Sequence, residues 1–288
     1  MEHNVEQLKK NLKLRDRAVK AISKDGFFRV VAIKNTQAAR DAQLKHNLDY
    51  MPAFLLARTM SAASMYAALM KGEERINIEL FGEGYISRIF AEAIHVGEVR
   101  GFVNFNPDAP ERIIEKMSDI LGEGTLNVTR ILLDQKEPIT SIIPLKTGDV
   151  AGDMAHYFDQ SEQIPTAVIL DVEFDEETGL ITQSGGLLLQ AMPGFSKDEL
   201  FKNYIMLNNL KPITKYFDDE LTPKELLAEI LPFEYECIGS TIIDFFCRCT
   251  KNNFMDKLMT LGINELKEMQ AVDHRELVCQ YCNKKYEL

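Results

Sequence analysis

Four of the five cysteines stand in two tight pairs, Cys247-Arg248-Cys249 and Cys279-Gln280-Tyr281-Cys282. Thiolates are soft ligands, and two such claws on one small module can close a tetrahedron around Zn²⁺ at about 2.3 Å per sulfur. One Zn²⁺ per chain is therefore the expected cofactor of the reduced protein, with Cys247, Cys249, Cys279 and Cys282 as ligands. The thiolate is also the form that peroxide and hypochlorite attack. A sulfenic acid formed on one thiol of a claw has a resolving partner beside it, so the same atoms suit reversible redox chemistry.

The residues around the claws say what a metal would do for them. Between Phe233 and Leu288 the large apolar side chains are few, chiefly Ile242, Ile243, Phe245, Phe246, Phe254, Leu258 and Leu261. That is too little for an independent core. Metal binding would then supply folding free energy on the order of 10 kcal/mol, as in other small zinc modules. Thr250 reads as a helix cap, Gly262 as a stop and Asn264 as a second cap. His274 lies near the second claw, but four cysteines already complete the tetrahedron. Cys237 reads as a small, half-buried apolar residue, and His3, His46, His95 and His156 are scattered away from any catalytic pattern.

Composition narrows the function classes. At 288 residues, 45% hydrophobic and 27% charged, the chain is an ordinary globular protein of one large domain plus an appendage. Its net charge of −11 and the absence of a basic run argue against nucleic acid as a partner. The polar N-terminus MEHNVEQLKKNLKLRDR is no secretory signal, which points to the cytoplasm and a reducing compartment. Ala53–Met70 carries Arg58, Ser, Thr and many Ala, so it reads as a buried helix rather than a membrane span.

The elements that must hold the claws follow from periodicity. Residues 4–23 have apolar positions at helical spacing, and FFRVVAI after Gly26 reads as a strand. Asp41–Met51 and Ala53–Met70 read as helices parted by Pro52, with Gly72 as a stop. Gly82-Glu83-Gly84 and Gly122-Glu123-Gly124 sit beside alternating apolar runs. A phosphate cradle needs a helix directly behind it, whereas strands follow here; two matching hairpins are expected, with residues 99–105 and 139–145 as partner strands. Asp149–Gln160 reads as a helix, residues 161–174 as a turn and strand, and residues 178–194 as a second strand broken at Gly185-Gly186, which marks a bulge or a place where another backbone comes close.

After residue 192 the character changes. Ser196 with Glu199, and Thr222-Pro223-Lys224-Glu225, announce short helices limited by Pro212 and Pro232, and KYFDDE between them reads as exposed. Short helices borrow their stability from packing, so this stretch is the candidate moving part. The expected fold class is α+β: an α/β core at 1–192 with a mainly antiparallel sheet, a metastable helical linker at 193–236, and a zinc-binding redox module at 237–288.

The chain resembles the redox-regulated holdase chaperones, the thirty-three-kilodalton chaperonins of bacteria (heat-shock protein 33). The resemblance rests on the two cysteine motifs, on Tyr157-Phe158-Asp159-Gln160-Ser161-Glu162-Gln163-Ile164-Pro165-Thr166, and on Gly185-Gly186-Leu187-Leu188-Leu189-Gln190-Ala191-Met192-Pro193, and it runs over essentially the whole length. It departs at Val278 and Asn283, where the family often has His and Gly. The resemblance implies an ATP-independent chaperone rather than an enzyme, inactive when reduced and zinc-bound. On oxidation it implies disulfides Cys247–Cys249 and Cys279–Cys282, metal loss, dimerisation, and exposure of a surface for unfolding or oxidatively damaged client proteins. Phe195, Phe201, Met206 and Phe217 are candidate client contacts, against the alternative of packing within the chain. Two other readings stand beside this one: a constitutive zinc module that binds RNA or a protein partner, and a thiol-disulfide oxidoreductase built on Cys279-x-x-Cys282. Acidic residues outnumber basic ones after Phe233, and VCQYCNKKYEL lacks a strand-to-helix setting, which disfavour the first and second respectively.

Overall fold

A computed structural model of the chain describes residues 12–108, 117–195, 197–260 and 276–287. Its first elements are the strands β1 (Arg17–Ser23) and β2 (Phe28–Lys34), joined by a turn in which Gly26 has φ 78°. Of the helix expected over 4–23, Leu12 and Lys13 are helical, residues 14–16 are irregular and Arg17 onward is a strand, while residues 4–11 lie outside the described residues. Ladder pairing of β1 on both sides, which buries Ala18, Val19 and Ala21, overrides the helical spacing.

Two helices follow, α1 (Thr36–His46) and α2 (Tyr50–Ala68). The break falls at Asn47, in the left-handed region at φ 47°, and not at Pro52. Pro52 lies in the first turn of α2, where the missing N–H has no intrahelical partner to lose. As expected, α2 is buried nearly all round; Leu55, Leu56, Met60 and Met65 anchor the main core. Among the described residues no helix is long and apolar enough to cross a membrane.

The single sheet expected of the body is two. The strands β3 (Arg75–Gly82), β4 (Ile86–Ile94), β5 (Glu98–Phe105), β6 (Gly124–Ile131) and β7 (Ile139–Pro144) form an antiparallel sheet in the order β5-β4-β3-β6-β7. The strands β8 (Thr166–Phe174) and β9 (Ile181–Ala191) extend the first hairpin into a second sheet, β1-β2-β9-β8. Gly82-Glu83-Gly84 is the β3–β4 hairpin turn, as expected, and residues 99–105 and 139–145 are partner strands within β5 and β7. Gly122-Glu123-Gly124 is not a turn of the same kind: it links a short helix, α3 (Ser118–Leu121), to β6. The two glycine motifs pack on each other, with Gly84 N donating to Leu121 O at 2.7 Å and Glu83 N to Glu123 O at 2.9 Å. A Cβ on Gly84 would lie 2.4 Å from the Ile120 carbonyl oxygen, which is why the approach needs glycine.

The helix α4 (Val150–Tyr157) is capped by Asp149 and continues as one π-helical turn, Phe158–Glu162. Gly185-Gly186 neither breaks nor bulges β9, whose register runs through both residues. The backbone approach expected there does occur: a Cβ on Gly185 would stand 2.3 Å from the Ile33 carbonyl oxygen, and it would also stand 2.5 Å from the Phe217 ring.

Phe217 lies on the second of three helices that follow β9, α5 (Lys197–Asn208), α6 (Ile213–Asp218) and α7 (Pro223–Ile230). The cap expected at Ser196 lies outside the described residues; at α7 the capping box is complete, with Thr222 accepting from Glu225 N and Glu225 from Thr222 N. The expectation that KYFDDE is exposed holds for Lys215, Asp218, Asp219 and Glu220 but fails at Tyr216 and Phe217, which are 5% and 2% exposed. Together with Leu200, Leu207, Ile213 and Leu227 they form a second core against Val30, Leu187 and Leu189. Phe195 packs against Phe28, while Phe201 and Met206 are exposed.

The chain then returns to the body. A strand β10 (Tyr235–Ile242) adds to β1, with Cys237 half-buried against the second core, and β11 (Asp244–Phe245) adds in parallel to β5. Between them, Ile243 N donates to the backbone oxygen of Asp16 at 3.0 Å. The Asp16 carboxylate accepts from Ala38 N, also at 3.0 Å, and burial pushes its pKa up to about 7. A folded value above the unfolded 3.8 means that the native state holds the proton longer. Stability should be full below about pH 4 and fall by on the order of 1 kcal/mol per pH unit up to about pH 7 from this group. Urea denaturation of wild type and Asp16→Asn at pH 5 and pH 7 should show a shallower decline in the variant; equal declines would mean that Asp16 is ionised in the fold.

Candidate metal centre

Each claw is held by a different kind of backbone. Cys247 and Cys249 follow directly on β11, and the chain then enters α8 (Lys251–Leu258), where Thr250 accepts from Asn253 N as the expected cap. Cys279 and Cys282 sit in the loop of a small hairpin, β12 (Glu276–Val278) with β13 (Lys285–Glu287). Cys279 N donates to Lys284 O and Asn283 N to Cys279 O, at 2.9 and 2.8 Å, which curls the loop so that its thiols face the first claw.

All four sulfurs lie within 4.8 Å of one another. Two of the separations between claws are 3.7 Å, for Cys247–Cys279, and 3.4 Å, for Cys249–Cys282. A tetrahedron with bonds of about 2.3 Å has edges of about 3.8 Å, so the cage fits a soft four-coordinate cation. Cys279 is buried and the others half-buried. His274, Gly262 and Asn264 lie outside the described residues.

Electrostatics point the same way. Burial raises the Cys279 and Cys282 thiols, and neighbouring sulfurs raise Cys282 further. Cys249 also feels burial, but hydrogen bonds from Tyr286 and Cys282 outweigh it and leave its thiol below the ordinary value. Thiols this close resist becoming four thiolates together unless a cation shares the site. Around the cage, the Tyr286 hydroxyl donates to the Cys249 carbonyl at 2.9 Å and lies 3.2 Å from its sulfur. The Arg100 Nη1 donates to the Cys247 sulfur across 3.7 Å.

The centre is docked on β5 and α1. Arg248 forms a bidentate pair with Glu98 at 2.9 and 2.8 Å. His46 Nε2 donates to the Tyr281 carbonyl at 3.1 Å, and burial keeps that imidazole below its usual pKa range. Asn283 Nδ2 donates to Lys45 O at 2.9 Å. A cleft of about 620 Å³ runs between β5 and the claws, and Cys249 and Cys279 line it beside Arg75, Arg100 and Arg248. Sequence reading found the four thiols but not Arg100, His46 or Tyr286. Only Tyr286, an aromatic close behind the second claw, carried a local signal; the other two reach the centre through tertiary packing. His95 lies in the turn that follows β4 and His156 on α4, and His95 Nδ1 donates to the Ala67 carbonyl oxygen.

Comparison with known proteins agrees with this arrangement. The sequence model of the family described as Hsp33 protein matches residues 16–288. A 33 kDa chaperonin of Bacillus licheniformis is 32% identical over 277 residues, covering 94% of this chain and 95% of that one. One of Lactococcus lactis subsp. cremoris is 30% identical over 279 residues, covering 94% and 96%. The crystal structure of the 33 kDa chaperonin from Thermotoga maritima superposes with a TM-score of 0.81 at 26% identity, covering 95% of this chain and 94% of that one. Of the two sequence departures, Asn283 has φ 56°, a conformation that Gly enters freely and Asn better than most other residues, and Val278 is an exposed strand residue.

Cys282→Ser should abolish stoichiometric metal binding. Tyr286→Phe, which removes the hydroxyl beside Cys249, should weaken zinc roughly tenfold in competition with a chromophoric chelator. Wild-type affinity in Tyr286→Phe would show that the hydroxyl does not support the ligand set.

Proposed function

The chain belongs to the Hsp33 family of chaperones, and we propose that it is a redox-regulated, ATP-independent holdase of the cytoplasm. Its parts divide as a core at 1–192, a metastable helical linker at 193–236 and a zinc-binding redox module at 237–288. The observation that carries the reading is the four-sulfur cage, which stands where the chain leaves the linker and both sheets. Zinc bound by Cys247, Cys249, Cys279 and Cys282 would hold the thiols as thiolates and cross-link the two claws.

The rest is thiol chemistry. A thiolate attacks one oxygen of peroxide, forming an S–O bond as the O–O bond breaks and hydroxide leaves. The neighbouring thiol then attacks that sulfur, an S–S bond forms, and the sulfenic oxygen departs as water. Disulfides Cys247–Cys249 and Cys279–Cys282 would take all four ligands out of service. Few apolar contacts hold this segment otherwise: in α8 no residue is buried, and Met255 and Met259 are exposed. Its loss would remove the pairing next to β10 and loosen the linker helices, whose second core is smaller than the first. Unfolding or oxidatively damaged client proteins would bind the surface so uncovered, with the activated chain as a homodimer.

Peroxide at mildly elevated temperature should release one zinc per chain, form two disulfides, lower helicity, and make the protein suppress aggregation of a heat-unfolding client. Reduction should reverse the first two. Metal-free, disulfide-bonded protein that leaves aggregation unchanged would overturn the proposal.

A further inference from the structure

Two large aromatic residues lie buried outside both cores. Phe90 on β4 and Phe102 on β5 are 4% and 2% exposed, yet they belong to neither hydrophobic cluster. They face each other across the ladder, stacked at 5.1 Å and 13°, on the face opposite Ile89, Ala91 and Val103, which pack into the main core. What covers them comes from elsewhere. Arg88 lays its guanidinium over both rings, at 5.4 and 5.3 Å, and Tyr281 seats its ring against them at 5.4 and 5.6 Å. Arg100, fixed by Glu92 at 2.7 Å, closes over the other side of Tyr281 at 3.9 Å.

The outer face of β4 and β5 is thus an aromatic slot with cationic walls. Its occupant is carried by the loop between Cys279 and Cys282. We infer that Phe90, Phe102, Arg88 and Arg100 form a binding surface for aromatic side chains of unfolded polypeptide, and that Tyr281 is the built-in plug keeping it closed in the reduced protein. The inference rests on the redox reading above and adds to it the surface and the residue class it selects.

The chemistry of the occupant argues for the chemistry of the partner. An aromatic ring meets two phenyl edges and faces and one guanidinium plane here, contacts that a branched aliphatic side chain reproduces only in part. Phe, Tyr and Trp are buried in folded proteins and exposed in unfolded ones, so such a slot discriminates by folding state. The plug is tied to the claw by more than its ring. Its backbone carbonyl accepts from His46, its neighbours Cys279 and Cys282 are ligands, and Asn283 is bonded to Lys45. Rearrangement of the thiols therefore shifts the loop that holds Tyr281 in place.

The test uses the full chain and two fluorescein-labelled, otherwise identical unstructured peptides, one bearing Phe and Tyr and one bearing Leu at the same positions. In the reduced, zinc-loaded state, Tyr281→Ala should bind the aromatic peptide about tenfold more tightly than wild type while still holding one zinc. In the oxidised state, wild type should prefer the aromatic peptide over the leucine one, and Phe102→Leu should lose that preference. Phe102→Leu keeps an apolar residue on the strand, so the fold is preserved where Tyr281→Ala disturbs the loop. An unchanged affinity in zinc-loaded Tyr281→Ala, or an intact preference in oxidised Phe102→Leu, would overturn the inference. Aggregation suppression by oxidised wild type separates the two ideas: if it persists while the aromatic preference is absent, the chaperone stands and this surface is wrong.

Discussion

Four thiols within 4.8 Å cannot all carry charge without a cation among them. Mutual repulsion and partial burial set a cost that a soft divalent ion would offset, and in the proposed reading that balance orders the described residues after Phe246. Among the described residues the segment has little else to hold it: one short exposed helix, a hairpin of three-residue strands, the Tyr281 ring seated on Phe90 and Phe102, and a handful of polar bonds to Lys45, His46 and Glu98. Order there is a property of the sulfur cage rather than of a core. In the proposed switch the cage and the oxidant target are the same atoms, so stability and reactivity would be coupled without any separate sensor.

The body is built on the opposite principle. Its helix α2 is wrapped by strands of both sheets, and the main core continues through Leu55, Leu56, Met60 and Met65. The linker helices lie between these extremes. They are anchored by Phe217, Leu226 and Leu227 on the second sheet, yet leave Phe201, Ile205 and Leu210 open to solvent. Stability is thereby graded along the chain, from a dense core through a half-covered layer to a module pinned by sulfur.

Much of this was legible in residue order. The claws, the Thr222 capping box, the Thr250 cap and the buried central helix are written locally, in spacings of one to four residues, and the structure holds each of them. What failed were places where pairing partners lie far away. β1 has helical spacing but is gripped between β2 and β10, the latter more than 200 residues on. Tyr216 and Phe217 sit in an acidic run, and the distant Gly185 of β9 makes room for the Phe217 ring to bury. The second Gly-Glu-Gly looks like the first because both line one backbone contact, not because the hairpin repeats. Arg100, His46 and Tyr281 became neighbours through folding alone, and no window of sequence contains them.

The two strands that lead into the cysteine segment differ greatly in grip. β10 shares a long antiparallel ladder with β1, from Arg17↔Ile242 to Ser23↔Tyr235, whereas β11 matches β5 at only two positions. Peeled from its free end, the segment would come away like a zip from β5 and then meet a seam that does not give. In the proposed switch the fracture line would run just past Ile243, leaving the β10 seam on β1 as the edge against which the reduced module closes again.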